Sequence, residues 1–452
     1  MKCNKLLLVL FISLLSFKTF SQQKKPFYLK DKKTGCRVLH EDKAFYVSIT
    51  WTGGCENNFA EGKGVLTTYE QGKEISKYTG YMHKGNLNGQ GKYTFPETKL
   101  ALEGNFVNGI IQGKGKITFD TGLKIDGSFL DNKFFTLDEP YLSRLKTNKT
   151  TLMNSTAIYA NQGNSGPLFY YTLLPEGDVK STVVLLPSRG ETLEDVINCN
   201  KQLIQLAAHN HILVVVPSIN NDKGMDDDQL AFNFLNTVFK EVITKYKAPK
   251  HKFVFSGFSN GGMIGLRYAE IAREDSSKTT IVPCAVLGVD PPVDLAELYN
   301  ASARDSLINE GSPGLTPAKL NGLREAKSII SSYNKAFGGS PQQYPEQYIK
   351  HSMFSRSQKD GGNAKYLLKI PIRIYADPDI SWAINQRNRD YFDMNAASSS
   401  AMINLLRIQG NNQAEFIPAI GKGYRLDGTR HPHSWSIVDP QDCIKWIKKV
   451  TK

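Results

Sequence analysis

The sequence predicts an α/β protein in which a mostly parallel sheet with helices on both faces follows a smaller all-β module of repeated hairpins. Three observations carry this reading. From about Pro167 onward, short apolar runs alternate with amphipathic helical patterns, as parallel strands joined by helical crossovers require. Between Trp51 and about Lys133 a glycine-punctuated pattern recurs every 23 to 27 residues, the mark of a stacked array. The chain has 452 residues, 40% of them hydrophobic, with 37 Gly and 20 Pro, which is enough for two or three domains and excludes coiled coil, collagen and global disorder.

Residues 1–21 read as a secretory signal peptide: a basic start at Lys2 and Lys5, an apolar run from Leu6 to Phe17, and Ser21 before Gln22. The run is shorter than the roughly 20 residues that span a bilayer, and Cys3 precedes it, which argues against both a membrane anchor and a lipidated cysteine. A periplasmic or extracellular location is therefore expected. Net charge is +13, and +10 without Lys2, Lys5 and Lys18. The charge is spread along the chain without a basic run interleaved with aromatics, so no nucleic-acid partner is expected.

Six Cys, with no CxxC and no Cys/His cluster at ligand spacing, exclude a disulfide scaffold and a zinc-type site; no metal and no cofactor is expected. Export permits disulfides, and Cys36 and Cys55, which flank one compact segment, are the expected pair. Cys199, Cys284 and Cys443 fall in apolar patterns and read as buried thiols.

The repeat module is placed at residues 22–140. Its anchor glycines are Gly54, Gly80, Gly104 and Gly127, and its Gly-x-Gly pairs are Gly62/Gly64, Gly89/Gly91 and Gly113/Gly115. Each unit reads as a β-hairpin with a glycine-opened turn, in which Tyr93/Phe95 and Ile117/Phe119 share one face. One hairpin cannot bury such a face, whereas stacked hairpins share it. Tyr78-Thr79-Gly80, Lys84-Gly85, Gly89-Gln90-Gly91 and their counterparts from Gly104 to Gly115 resemble the MORN repeat. Departures are Met82 at an aromatic position and Asn132 where a second glycine belongs, so the last unit reads as a cap. The resemblance implies contact with a membrane, envelope surface or partner; the competing expectation is a rigid spacer or a frame for the next domain.

A linker at 141–166 precedes the second domain, placed at 167–452. Thr182 to Leu186 and Ile212 to Val216 read as buried strands, Leu230 to Tyr246 as a helix, and Phe253-Val254-Phe255 as a third strand. That strand runs into Gly257-Phe258-Ser259-Asn260-Gly261 and then a helical pattern, which is Gly-x-Ser-x-Gly in the strand–turn–helix context it needs. The sharp turn lifts the hydroxyl above the sheet, and side chains two residues either side would strike neighbouring backbone. Ser259 is the candidate nucleophile, and the Asn260 N–H, at a helix start, a candidate oxyanion donor. Asp222, Asp226, Asp227 and Asp228 form an acidic cluster whose spacing is not that of a calcium loop, and it reads as helix capping.

Residues 167 to 450 thus resemble the α/β-hydrolase superfamily, most closely its exported serine esterases. The resemblance implies a triad in the order Ser, Asp/Glu, His. Of the histidines after Ser259, His431 and His433 precede a terminal amphipathic helix, and His433, followed by Ser434-Trp435, is preferred, with His431 the alternate. The strand Lys369 to Ala376 ends before Asp377-Pro378-Asp379; aligned on Ala376, the acid falls at Asp379, with Asp377 the alternate and Asp290 or Asp294 the fallback. The second oxyanion donor is expected from the Pro187-Ser188-Arg189-Gly190 loop, at the Arg189 N–H or next at Ser188. Residues 296–365 read as a lid with Tyr333, Phe337, Tyr344 and Tyr348 available to line a pocket, and Trp382 and Trp435 flank the acid and base as pocket walls.

The resulting expectation is an exported serine hydrolase acting on a small-molecule or polymeric ester, with the repeats docking or framing the enzyme. A peptide or thioester substrate follows the same acyl-enzyme path. A reading from another class makes the chain a catalytically weak hydrolase-fold protein that works through repeat-mediated binding.

Overall fold

A computed structural model describes residues 27–40, 47–153, 167–219 and 229–452. The expected signal peptide and the acidic cluster at Asp222 to Asp228 lie outside the described residues, as does the second half of the expected linker. The chain divides into two compact units, the first ending at Leu142 and the second beginning at Ser143.

The first unit is a strand-rich meander. β1 (Phe27–Lys30), β2 (Arg37–His40), β3 (Val47–Trp51) and β4 (Gly54–Glu56) lead into the long β5 (Phe59–Glu70). Then follow β6 (Lys73–His83), β7 (Asn86–Phe95), β8 (Leu100–Val107), β9 (Ile110–Thr118), β10 (Lys124–Leu130), β11 (Lys133–Phe135) and a helical turn, α1 (Glu139–Leu142). From β5 to β11 each strand pairs antiparallel with the next.

Gly64, Gly80, Gly91, Gly104, Gly115 and Gly127 lie directly opposite one another across six successive strands. Rings cover this row: Trp51 lies over Gly64, Phe129 over Gly115 and Phe134 over Gly127, and a Cβ on Gly80 or Gly91 would lie 2.3 Å from a Tyr78 atom. The repeat therefore alternates a large ring with a glycine bed, and buries Trp51, Tyr78, Phe106, Phe129 and Phe134 in one core. The Gly-x-Gly pairs sit within β5, β7 and β9. Gly89 takes a left-handed φ of +67° next to the irregularity at Gly80/Tyr81, while the tight turns belong to pairs such as Lys84-Gly85 and Asn108-Gly109. Asn132 adopts φ +65°, a conformation asparagine tolerates, at the position where a glycine was expected. Cys36 and Cys55 form a disulfide with Cα atoms 5.6 Å apart.

The second unit starts earlier than the sequence suggests. β12 (Leu145–Met153) lies in the first half of the expected linker and pairs antiparallel with β13 (Pro167–Leu173). Its alternation of Lys and Thr hides a strand that lies at the sheet edge, where one side stays polar. There follow β14 (Ser181–Leu186), α2 (Leu193–Cys199), α3 (Lys201–His209), β15 (Ile212–Pro217), α4 (Gln229–Tyr246), β16 (Phe253–Phe258), α5 (Asn260–Glu274) and β17 (Ala285–Val289).

An insertion then carries α6 (Leu295–Asn309), α7 (Pro317–Phe337) and α8 (Pro345–His351), before β18 (Ile372–Ala376), α9 (Ile380–Arg387), α10 (Asn395–Ile408), β19 (Ala414–Pro418) and α11 (Pro440–Val450). The sheet order is β12-β13-β15-β14-β16-β17-β18-β19, parallel from β15 to β19 and antiparallel on both sides of β13. Every residue of β14 to β18 is buried. Because successive side chains point to opposite faces, both faces of the sheet are covered.

Candidate active site

β16 ends at Phe258, and the next residue, Ser259, has φ +53° and ψ −118°, a strained conformation for a residue with a Cβ. The turn closes only because its neighbours are small. A Cβ on Gly257 would stand 2.2 Å from the Gly261 carbonyl oxygen, and one on Gly261 would stand 2.2 Å from that of Leu186. Ser259 donates its N–H to the Val289 carbonyl at 2.9 Å and so ties the elbow to the end of β17, with α5 starting at Asn260. The strain holds the hydroxyl at the strand-to-helix junction instead of in the helix.

The residue after Val289 is Asp290, at φ +48°, fixed by its N–H to the Tyr375 carbonyl (2.8 Å) and by Asn395 Nδ2 donating to its own carbonyl (3.0 Å). Its Oδ2 accepts a 2.6 Å hydrogen bond from His433 Nδ1. The carboxylate thus puts the proton on Nδ1 and leaves Nε2 with its lone pair. The His433 ring packs 4.5 Å from that of Phe258, the residue before the serine. The histidine–aspartate pair therefore stands at the ends of β16 and β17, beside the elbow, with the ring supplied by the loop before α11.

The preferred acid of the sequence reading, Asp379, lies elsewhere. Its Oδ1 caps α9 at the Trp382 N–H (2.9 Å), and its Oδ2 takes Arg430 Nη2 (2.7 Å). The alternate, Asp377, is buried, accepts the Gly421 and Gly423 N–H groups and pairs with the same guanidinium. Both carboxylates anchor the 419–430 loop. Asp294, the other fallback, caps α6 and accepts the Arg356 N–H. The physical reason is adjacency: β17 is the strand paired to β16, and the elbow is hydrogen-bonded to its last residue, whereas β18 is one strand further out. The signal that could have found Asp290 is an aspartate immediately after a wholly apolar strand.

His431, the alternate base, faces cations. Its Nδ1 lies 3.1 Å from the His433 carbonyl, Arg387 Nη2 lies 3.2 Å from its Nε2, and Arg425 Nη2 lies 3.3 and 3.4 Å from the two ring nitrogens. Burial, then Arg425, then His433 and Arg387 push its pKa down to about 2, so it stays neutral.

On the oxyanion side, Ser188 is excluded as a donor because its N–H is held by Glu191 Oε2 at 2.8 Å. Glu191 Oε1 accepts the Trp435 indole N–H at 2.8 Å, which braces the 187–191 loop against the histidine loop. Burial pushes the Glu191 carboxyl up to about 8. The Leu186 carbonyl abuts Gly261, so the end of β14, which leads into Arg189, runs beside the start of α5 at Asn260.

Trp435 is buried against Phe258, with ring centroids 5.6 Å apart, and Trp382 lies 4.7 Å from the His431 ring. Tyr333, Phe337 and Tyr348 pack on one another beneath the insertion, so they serve its core, while Tyr344 is exposed. A cavity of about 200 Å³ lined by Asp294, Glu297, Arg356, Phe392, Asn395 and Ser398 includes none of Ser259, His433 or Asp290. It is a gap between the insertion and α10 rather than the reaction site.

An eight-stranded sheet with its second strand antiparallel, a serine elbow after the fifth, and an acid and a histidine following in chain order define an α/β-hydrolase fold. Residues 78–97 and 103–124 match the MORN repeat, so the chain joins that module to this fold. Among solved structures, the Pyrococcus horikoshii acylaminoacyl peptidase is similar at 12% identity and a TM-score of 0.45, over 92% of this chain and 66% of that one. The post-proline cleaving enzyme of Rickettsia typhi is similar at 12% identity and 0.41, over 92% and 53%. Carboxyl esterase 2 of Tuber melanosporum is similar at 13% and 0.41, over 70% and 86%. This chain thus spans about two thirds or less of the length of the two peptidases. No curated protein matches its sequence.

Proposed function

We propose that the chain is an exported serine hydrolase that cleaves a carboxylic ester through an acyl-enzyme on Ser259. The observation that carries this reading is the 2.6 Å bond from His433 Nδ1 to Asp290, formed beside a serine held at positive φ. In the reaction, His433 Nε2 takes the Ser259 proton as Oγ attacks the ester carbonyl. Asp290 stabilises the imidazolium formed. The N–H of Asn260, with a second from the Arg189 segment, holds the tetrahedral oxyanion. His433 then protonates the leaving alcohol, and water, deprotonated by the same ring, releases the acid.

The repeats serve as a docking or framing element for the enzyme at an envelope surface or polymeric substrate. The test is labelling of the mature protein by a fluorophosphonate, with peptide mapping. Labelling at Ser259 that is abolished in Ser259→Ala is expected. A folded protein that resists the probe would refute an activated serine.

A further inference from the structure

Four arginines around the insertion and the histidine loop have carboxylate partners, while Arg324, Arg356 and Arg407 bond amide or carbonyl oxygens. Arg304 pairs with Asp393, Arg389 with Asp305, Arg430 with Asp377 and Asp379, and Arg373 with Glu415 and Asp442. Arg387 and Arg425 differ. Among the described residues neither has a carboxylate within ion-pair distance, and both guanidiniums converge on the ring of His431, two residues from the base.

The pair is built rather than incidental. Arg387 stacks on Trp382 at 5.2 Å, donates Nη1 to the Ala318 carbonyl of α7, and crosses that helix at buried Gly322, where a Cβ would lie 2.9 Å from its Cδ. Arg425 is carried by the loop that Arg430 ties to the end of β18. Two half-buried cations around a histidine that cannot share their charge leave the site electropositive, and desolvation lowers the pKa of both. Such an arrangement is unfavourable in the empty protein and is relieved by an anion.

We infer that Arg387 and Arg425 form a subsite for a carboxylate group on the substrate, beside the catalytic histidine. This rests on the serine-hydrolase reading above. A singly charged group suits the pair, since Glu191, then Glu325 and Asp427, already offset part of Arg425's charge and Glu325 part of Arg387's, all beyond ion-pair distance. The substrate class is then an ester that also bears a free carboxylate, with the planar guanidiniums orienting it by charge-assisted hydrogen bonds.

The test compares 4-nitrophenyl hydrogen glutarate with its neutral methyl ester, which differ by one charge at equal chain length. The full mature protein should favour the acid in kcat/KM by about ten- to hundredfold, as hydrogen bonds to charged groups allow, mainly through KM. Arg425→Gln and Arg387→Gln should bring that ratio near unity, and Arg425→Lys should restore part of it. Using the ratio divides out any general damage. A ratio near unity in the unsubstituted protein, or one unchanged in both Gln variants, overturns the subsite. If neither ester is cleaved and the fluorophosphonate fails to label, glutarate binding by calorimetry decides. Binding lost in Arg425→Gln keeps the subsite and discards the serine chemistry, and no binding to the unsubstituted protein overturns the subsite.

Discussion

Asp290→Asn is the substitution that separates the observed site from the one expected at Asp379. The change is nearly isosteric, asparagine tolerates the φ of +48°, and the two backbone hydrogen bonds that hold the residue do not involve its side chain. What changes is charge and proton placement. With Asp290 and His433 side chains 13% and 27% exposed, an effective dielectric of about 20 is appropriate, and opposite charges about 4 Å apart then attract by about 4 kcal/mol. Losing that attraction as the imidazolium forms slows the reaction by about a thousandfold at about 1.36 kcal/mol per factor of ten. An amide NH2 facing Nδ1 also favours the wrong tautomer, which brings the loss toward the roughly 10⁴ typical of such triads.

The assay is kcat on a 4-nitrophenyl ester, with fluorophosphonate labelling rate as a second readout. Asp379→Asn is the control. It removes one of two carboxylates on Arg430 while its amide oxygen can still cap α9, costing about 1 kcal/mol or less of stability and leaving kcat within the same decade. Activity of Asp290→Asn within tenfold of the unsubstituted enzyme, together with collapse in Asp379→Asn, would refute the geometric assignment.

Three further outcomes are expected. Gly257→Ala forces a Cβ to within 2.2 Å of backbone, and should lower the unfolding free energy of the second unit by about 3 kcal/mol or more and abolish labelling, read by chemical denaturation and probe. Glu191 has its carboxyl raised from 4.5 to about 8 by burial, so the folded state holds a proton the unfolded chain releases. Its stabilisation is complete below about pH 4.5 and is lost as pH rises through 8; the stability difference between Glu191→Gln and the unsubstituted protein should shift across that window, with Asp195, raised to about 6, cancelling between them. Cys36→Ser with Cys55→Ser opens a loop with a sequence separation of 19 and should cost the first unit about 3 kcal/mol in the chain-entropy account, measured by thermal unfolding under non-reducing conditions.

Much of this protein is determined by local sequence. Crowding makes Gly257-Phe258-Ser259-Asn260-Gly261 legible as an elbow, because only glycine fits against backbone at 2.2 Å. The apolar runs at 182–186, 212–216 and 253–255 are legible as strands because both faces of the sheet are covered. The repeat period is legible because each hairpin returns its glycines to the same row. What escapes is whatever depends on which strands become neighbours. β12 looks like a linker because an edge strand needs little apolar sequence, and Asp290 and Asp379 compete because each stands at or just past the end of a buried strand.

Sequence alone determined the strand–turn–helix that carries Ser259, the histidine loop at 431–433 and the glycine-rich stack in front of them, since each follows from period, spacing and steric room along a few residues. Tertiary structure decided the rest. Pairing β17 to β16 hands Asp290 to His433, Arg430 draws Asp377 and Asp379 away, and the meeting of α7, α9 and the histidine loop leaves Arg387 and Arg425 facing a histidine without a carboxylate. Such assignments are settled by through-space electrostatics between segments that meet only in the folded chain, 143 residues apart for Asp290 and His433, which no local pattern encodes.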